Sequence, residues 1–380
     1  AGARVTLRRG AHRLSPTCVA LAEDDRRCWT GGKDNALVQW ELETGQRQFL
    51  KPMWKHTKGG PKSHQGEILA VAVSSDGKFV AAGGRDKLVR VYDVRSGREE
   101  AAFPGHKDAV SALAFRRGAH ALYSGGLDRC LNHWNVDEMG FVETLFGHQS
   151  GITALDALRR ERCATVGEDA TLRLWKLADE SQLVFKDHHR GSVDAVRMVG
   201  EEWCVTGGQD GALGLWFALR KRPAAWVPAG QAHGEGAWVT ALGGARDSDL
   251  VASGSSTGLV KLWRAGLEDR ALEEVAAVPL TGYINGLAVT STGRVLVAAV
   301  GQEHRLGRWD RIQSAKNGLA VVELPVGEEG EEGSGDDGEE EEEQIDGGEV
   351  SGNSSSEEEK EGDYKNGDDD DDDEDESSSS

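Results

Sequence analysis

One spacing constrains this chain more than any other property: an aspartate in a turn, preceded by small residues and glycine, with a tryptophan six places on. Ser124-Gly125-Gly126-Leu127-Asp128-Arg129-Cys130-Leu131-Asn132-His133-Trp134 is the clearest copy. Asp34/Trp40, Asp169/Trp175 and Asp210/Trp216 repeat it unchanged, and Asp86/Tyr92 keeps the spacing with tyrosine. Trp263 and Trp309 extend the series, with Thr257 and Glu303 where the aspartate would stand. The aromatic positions 40, 92, 134, 175, 216, 263 and 309 lie 52, 42, 41, 41, 47 and 46 residues apart. A period just above 40 residues is that of a four-stranded unit which buries its faces only by stacking on copies of itself. Seven such units predict an all-β, seven-bladed propeller over residues 1–325.

Each unit reads in the same order: a histidine, an apolar strand, a turn, a strand ending in small residues, the aspartate turn and the aromatic strand. His12 to Asp34, His64 to Asp86 and His106 to Asp128 are 22 residues apart; His148 to Asp169 and His189 to Asp210 are 21 apart. Four residues before the aspartate stands Thr30, Ser124, Thr165 or Thr206, with Ala82 in the second unit. Histidine, hydroxyl, aspartate and indole at these offsets can hydrogen-bond in series and pin strand register. These residues read as structural, not catalytic or metal-binding. Gly-Gly pairs at 31–32, 83–84, 125–126 and 207–208 have neither a following helix nor a G-K-[ST], so they read as strand-end bends and not phosphate loops.

The sixth and seventh units are degenerate. His233 opens the sixth, but its turn is Ser255-Ser256-Thr257-Gly258; Gly282-Tyr283 opens the seventh. Two segments, Val5-Thr6-Leu7 and Leu319-Ala320-Val321-Val322-Glu323-Leu324, compete for the last outer strand, and one of them is expected to close the ring and remove its open edge.

The net charge of −21 divides unevenly. Residues 326–380 carry 27 acidic and 2 basic side chains, leaving 38 acidic and 42 basic for residues 1–325. The propeller is mildly basic, and the Glu/Asp/Gly/Ser segment after it is expected to be a disordered polyanion. Ser354, Ser355 and Ser356 each have glutamate three residues on, a context for an acid-directed kinase. Five cysteines without a C-x-x-C pair favour a reducing compartment. No apolar run approaches the ~20 residues that span a bilayer, and no signal-peptide pattern opens the chain, so a soluble intracellular protein with no membrane association is expected. The chain opens on Ala1, not Met, so a further N-terminal piece is expected before it.

The first-to-second spacing is about ten residues longer than its neighbours, and the excess falls in 46–65. That stretch holds Arg47, Lys51, Lys55, Lys58 and Lys62 with Trp54 and His56, and no acid. Positive charge around an aromatic suits phosphate contact with base stacking. There is no H-E-x-x-H, G-x-S-x-G, Walker loop or dinucleotide fingerprint, and no zinc spacing. No enzyme activity, cofactor, metal or small-molecule substrate is expected; short loops on a rigid disc make a binding platform.

Several stretches are more particular than the repeat. They are Phe115-Arg116-Arg117-Gly118-Ala119-His120-Ala121-Leu122-Tyr123-Ser124, Val142-Glu143-Thr144-Leu145-Phe146-Gly147-His148-Gln149, Glu180-Ser181-Gln182-Leu183-Val184-Phe185 and Gly301-Gln302-Glu303-His304-Arg305-Leu306-Gly307-Arg308-Trp309. Together they resemble the WD-repeat protein family of the U3 small nucleolar ribonucleoprotein. The resemblance implies a nucleolar, nuclear protein that binds U3 small nucleolar RNA at its box B/C region. It implies a place beside the kink-turn-binding protein and other box C/D core proteins, within the small-subunit processome, in 18S ribosomal RNA maturation. The family carries a charged extension before the propeller; here the acidic segment follows it, and the import signal is not visible. A histone chaperone or chromatin reader, or a ubiquitin-ligase substrate receptor, is the alternative platform. The loops that begin the units and the aspartate turns share one rim. Basic residues expected there for RNA are Arg13, Lys33, Arg85, Lys87, Lys107, Arg129, Arg190, His304 and Arg305, joined by Lys51, Lys55, Lys58 and Lys62, with His304 and Arg305 the leading candidates. Arg116 and Arg117 fall on the opposite rim, toward a protein partner.

Overall fold

Seven four-stranded antiparallel sheets form the computed structural model, which describes residues 3–50 and 66–324. The first blade runs outward through Pro16–Leu21, Arg27–Gly32, Leu37–Glu41 and Arg47–Phe49. The third runs through Val110–Phe115, Ala121–Gly126, Cys130–Asn135 and Gly140–Phe146. The chain is thus an all-β seven-bladed propeller with one short helix, Ala229–Ala232, among the described residues. The Lys51, Lys55, Lys58 and Lys62 stretch, His64 and the acidic segment 326–380 lie outside the described residues.

Ring closure uses both competing segments. In the seventh blade Tyr283–Val289 is innermost, then Val295–Gly301, then Gly318–Glu323, with Arg4–Arg9 outermost. Trp309 is therefore not that blade's aromatic. Val322, paired with Leu296, stands where Trp134 pairs with Leu122. The physical reason is pairing capacity. Gly318–Glu323 is an apolar run that hydrogen-bonds along both edges, to Val295–Gly301 and to Arg4–Arg9. Residues 302–317 instead leave the sheet as a loop, and Trp309 is 67% exposed.

The Gly-Gly pairs end second strands, but their purpose is room more than bending. A Cβ on Gly125 would lie 2.6 Å from Cγ2 of Ile152 on the next blade's inner strand, and one on Gly31 would lie 2.5 Å from Ile68 Cγ2. The first glycine thus lets consecutive blades approach. The second makes space for the polar relay: a Cβ on Gly32 would meet His12 Nδ1 at 2.4 Å and Asp34 Oδ1 at 2.5 Å. In that relay the Trp40 indole N–H donates to Thr30 Oγ1 (2.8 Å), the hydroxyl meets His12 Nε2 (2.7 Å), and His12 Nδ1 meets Asp34 (3.0 Å). His106, Asp128, Ser124 and Trp134 repeat it, as do His148, Asp169, Thr165 and Trp175, and His189, Asp210, Thr206 and Trp216. In blade two Asp86 meets Arg90 (3.3 Å), which also binds Glu99 (2.8 Å). Blade six keeps half the relay: His233 and Trp263 meet Ser253, but Ser255 and Thr257 replace glycine and aspartate.

Every inner strand also slips register near its start, at the second residue in six blades (Thr17, Leu69, Ser111, Thr153, Asp194 or Thr240) and at the third, Asn285, in the seventh. A bulge frees backbone groups from the ladder. Where the residue carries a hydroxyl, it ties its own second strand to the next blade, as Thr240 does with Gly254 O (3.2 Å) and Ile284 O (2.6 Å).

Candidate nucleic-acid interface

The His–Asp relays mark one face of the disc, and the loop 302–317 arches over the channel on that face. Several polar contacts fix the arch. Asn285 Nδ2 donates to Pro16 O (2.8 Å) and Glu303 O (2.9 Å); the Gln302 N–H donates to Asn317 Oδ1 (2.9 Å). Lys33 Nζ donates to Gly307 O (2.7 Å) and pairs with Glu303 (3.3 Å), and Arg85 Nη2 donates to Leu306 O (3.0 Å).

Inside the arch, Arg305 points down the channel. Its guanidinium donates to the carbonyls of Ser111 (3.2 Å), Leu69 (3.5 Å) and Thr153, which are the bulged residues of three successive blades. His304 is also buried; burial above all, then Arg305 and Lys33, pushes its pKa down to about 3, so it is a neutral ring. These placements correct the expectation that His304, Arg305 and Lys33 present charge to solvent. All three are under one-tenth exposed. Free bulge carbonyls in the channel and the backbone of the arch offer acceptors that make burial of two cations tolerable.

The arch exposes other groups instead. Trp309 lies over the buried His304 (centroids 5.4 Å, planes 33° apart) with Trp238 edge-on at 6.1 Å, so one indole face is held and the other is open. Gly307 permits this fold-back, since a Cβ there would meet the Trp309 ring at 2.7 Å. Arg308 (paired with Glu303, 3.3 Å) and Arg311 (to Gln302 Oε1, 2.7 Å) flank the indole and remain exposed. Arg13, Arg85, Lys87, Lys107, Arg129 and Arg190 are exposed on the surrounding loops and turns. Lys87 and Arg129 hold left-handed backbone (φ 66° and 71°) at the turn position that Gly211 fills in blade five. That conformation costs a side chain on the order of 1 kcal/mol. Arg116 and Arg117 lie on the opposite rim, where Arg116 pairs with Glu161 (2.7 Å) and Arg117 with Glu23 (3.0 Å) and Asp247 (2.8 Å).

Trp309, Arg311 and Trp238 join the rim beyond the residues expected there, Trp309 in spite of a spacing from Trp263 that fits a blade aromatic. The available signal was Gly307 two places before it, with arginines on both sides. Among the described residues no group of three or more histidine, cysteine, aspartate or glutamate side chains could hold a metal ion. Among the described residues no helix is long and apolar enough to cross a membrane.

A family model described as "WD domain, G-beta repeat" matches residues 57–93, 97–135, 139–176 and 227–264. The human U3 small nucleolar RNA-interacting protein 2 is 43% identical over 366 residues, spanning 85% of this chain and 70% of the relative. The Arabidopsis thaliana U3 snoRNP-associated protein-like EMB2271 is 35% identical over 338 residues, spanning 82% and 70%. Among solved structures, one titled "Structure of U3-55K" superposes with a TM-score of 0.79 at 42% identity, over 84% of this chain and 98% of that one. The WD40 repeats of RRP9 superpose with a TM-score of 0.78 at 41% identity, over 84% and 97%. Repeat, fold and relatives agree: the chain belongs to the WD-repeat family of the U3 small nucleolar RNA-interacting and U3 snoRNP-associated proteins.

Proposed function

We propose that this protein is a non-catalytic scaffold that binds U3 small nucleolar RNA at its box B/C region through the arch face of the propeller. It acts in the nucleolus beside the kink-turn-binding protein and other box C/D core proteins, within the small-subunit processome, in 18S pre-ribosomal RNA processing. One observation carries the reading: an indole with one face buried and one open, at the centre of a rim of exposed Arg and Lys. An aromatic face accepts an unstacked base, while guanidinium and ammonium groups neutralise the phosphates on either side. The names of the relatives, which are said to interact with U3 RNA or its ribonucleoprotein, support the choice of RNA.

The test is a salt series with a U3 box B/C stem and a scrambled stem of equal length. With four phosphate contacts, log K should fall by about 3 per decade of salt, and the scrambled stem should bind more weakly at every salt concentration. Crosslinked peptides should map to residues 302–317 and the exposed cations around them. Equal affinity for both RNAs, or crosslinks confined to the other face, would overturn the proposal.

A further inference from the structure

The channel through the ring has two unlike ends. Arg305 occupies the end under the arch; at the other, a cavity of about 420 Å3 opens between the turns that join first to second strands. Its lining is mixed, and Leu113, Leu242 and Leu287 supply apolar side chains from three blades. Four guanidinium groups line it: Arg117, Arg159, Arg197 and Arg246, from blades three to six. Three are matched by acids. Arg117 bridges the mouth from Glu23 (3.0 Å) to Asp247 (2.8 Å), Arg159 reaches Asp247 (3.7 Å), and Arg197 pairs with Asp156 (3.4 Å).

Arg246 differs. It is partly buried, donates from Nη2 to the Leu21 carbonyl (3.1 Å), and has no ion pair among the described residues. Burial works against its charge, and Glu23 and Asp25 support it only from a distance. A cation half-withdrawn from water beside a cavity of ligand size, with no carboxylate in direct contact, is left to be paired by a group that enters the cavity.

We propose that this mouth receives an acidic–apolar segment of a partner protein: one carboxylate pairs with Arg246, and a neighbouring apolar side chain enters the channel between Leu242 and Leu287. Asp247 is 65% exposed, so an incoming acid can take its place on Arg117 while Asp247 turns to water. A nucleic-acid strand fits the mouth poorly. Glu23, Asp156, Glu201 and Asp247 are interleaved with the arginines and repel a polyanion, and the aromatic that lines the mouth, Phe115, is buried and offers no open ring. This site lies on the face away from the arch and does not rest on the RNA reading.

The test uses the full 380-residue chain and a fluorescein-labelled peptide of sequence Gly-Ser-Leu-Asp-Leu-Gly-Ser, followed by anisotropy. Binding should saturate. It should weaken roughly tenfold when the peptide Asp is changed to Asn or the protein carries Arg246→Ala, as expected for loss of one charge-assisted pair. Arg98→Ala, on an exposed outer strand, should change nothing. Should Arg246→Ala fail to fold, methyl NMR on the unsubstituted chain decides alone, with Leu242 and Leu287 the signals that move. No saturable binding, shifts away from those leucines, or displacement of the peptide by a single-stranded oligonucleotide would overturn the proposal.

Discussion

The guanidinium of Arg305 lies 3.2 Å from the backbone oxygen of Ser111, although 194 residues separate them along the chain. The contact joins the seventh blade to the third through the middle of the ring, and the same side chain reaches Leu69 and Thr153. Arg305→Ala strips three buried carbonyls of their donor and should cost about 2–3 kcal/mol. Urea unfolding should show a lower midpoint with unchanged slope. Arg305→Lys should recover only part, because one ammonium cannot span three blades as a planar fork does. A midpoint unchanged by the alanine variant would mean that the plug contributes nothing to closure.

Blade contact makes a second, independent prediction. Gly125→Ala forces a Cβ to within 2.6 Å of Ile152 Cγ2 and should cost about 1–3 kcal/mol by overpacking. In an Ile152→Ala background the same substitution should cost much less. The double-mutant cycle should therefore show coupling of about 1 kcal/mol or more. Simple additivity would show that the interface relaxes elsewhere.

The incomplete relay of blade six sets a pH dependence. Burial, helped by Lys261, pushes the His233 pKa down to about 4, and His304 is depressed in the same sense. The unfolded chain protonates its histidines near 6.5. Protons thus favour the unfolded state as pH falls from about 6.5 toward 4, and stability drops across that window. The melting temperature should be lower at pH 5 than at pH 7. Thr257→Asp alone should not repair the relay, since a side chain at 255 fills the space that Gly32 leaves for His12 and Asp34. Ser255→Gly combined with Thr257→Asp should add about 1 kcal/mol at pH 7 and lessen the loss at pH 5. Melting curves of the two variants at both pH values separate these outcomes.

Trp309 should be dispensable for folding and needed for RNA. Its ring is 67% exposed, so Trp309→Ala should leave the melting temperature within about a degree. Loss of one stacked base should reduce affinity for the U3 box B/C stem by roughly tenfold or more. Trp309→Phe should retain most of the binding. Anisotropy of the labelled stem gives both values, and an unaffected alanine variant would remove the indole from the interface.

Much of this was legible in the chain itself. The four complete relays follow from offsets between His, Ser or Thr, Asp and Trp, because one hydrogen-bonded geometry recurs in each. The seventh blade was not legible at the same level. Trp309 lies 46 residues after Trp263, a spacing that an aromatic in a loop matches by coincidence, while the true third strand has Val322 in place of an indole. Arg305 read as surface because arginine is seldom buried. Its acceptors are carbonyls freed by bulges, and backbone groups leave no trace in a list of side chains. The bulges did have a signal, the small polar residue in second place on inner strands, as at Thr17, Ser111, Thr153 and Thr240.

The pairing of Arg4–Arg9 with Gly318–Glu323 also imposes an order in time. During synthesis the first six sheets can each assemble from contiguous chain soon after leaving the ribosome. The last cannot: its outermost strand emerges first and its third strand more than 300 residues later, tens of seconds apart at ordinary elongation rates. For that interval Arg4–Arg9 has no partner, and it carries three arginines in six residues, a charge density that discourages other strands from pairing with it. The positive charge of Arg4–Arg9 thus suits an edge that must stay unpaired until the circle can be joined.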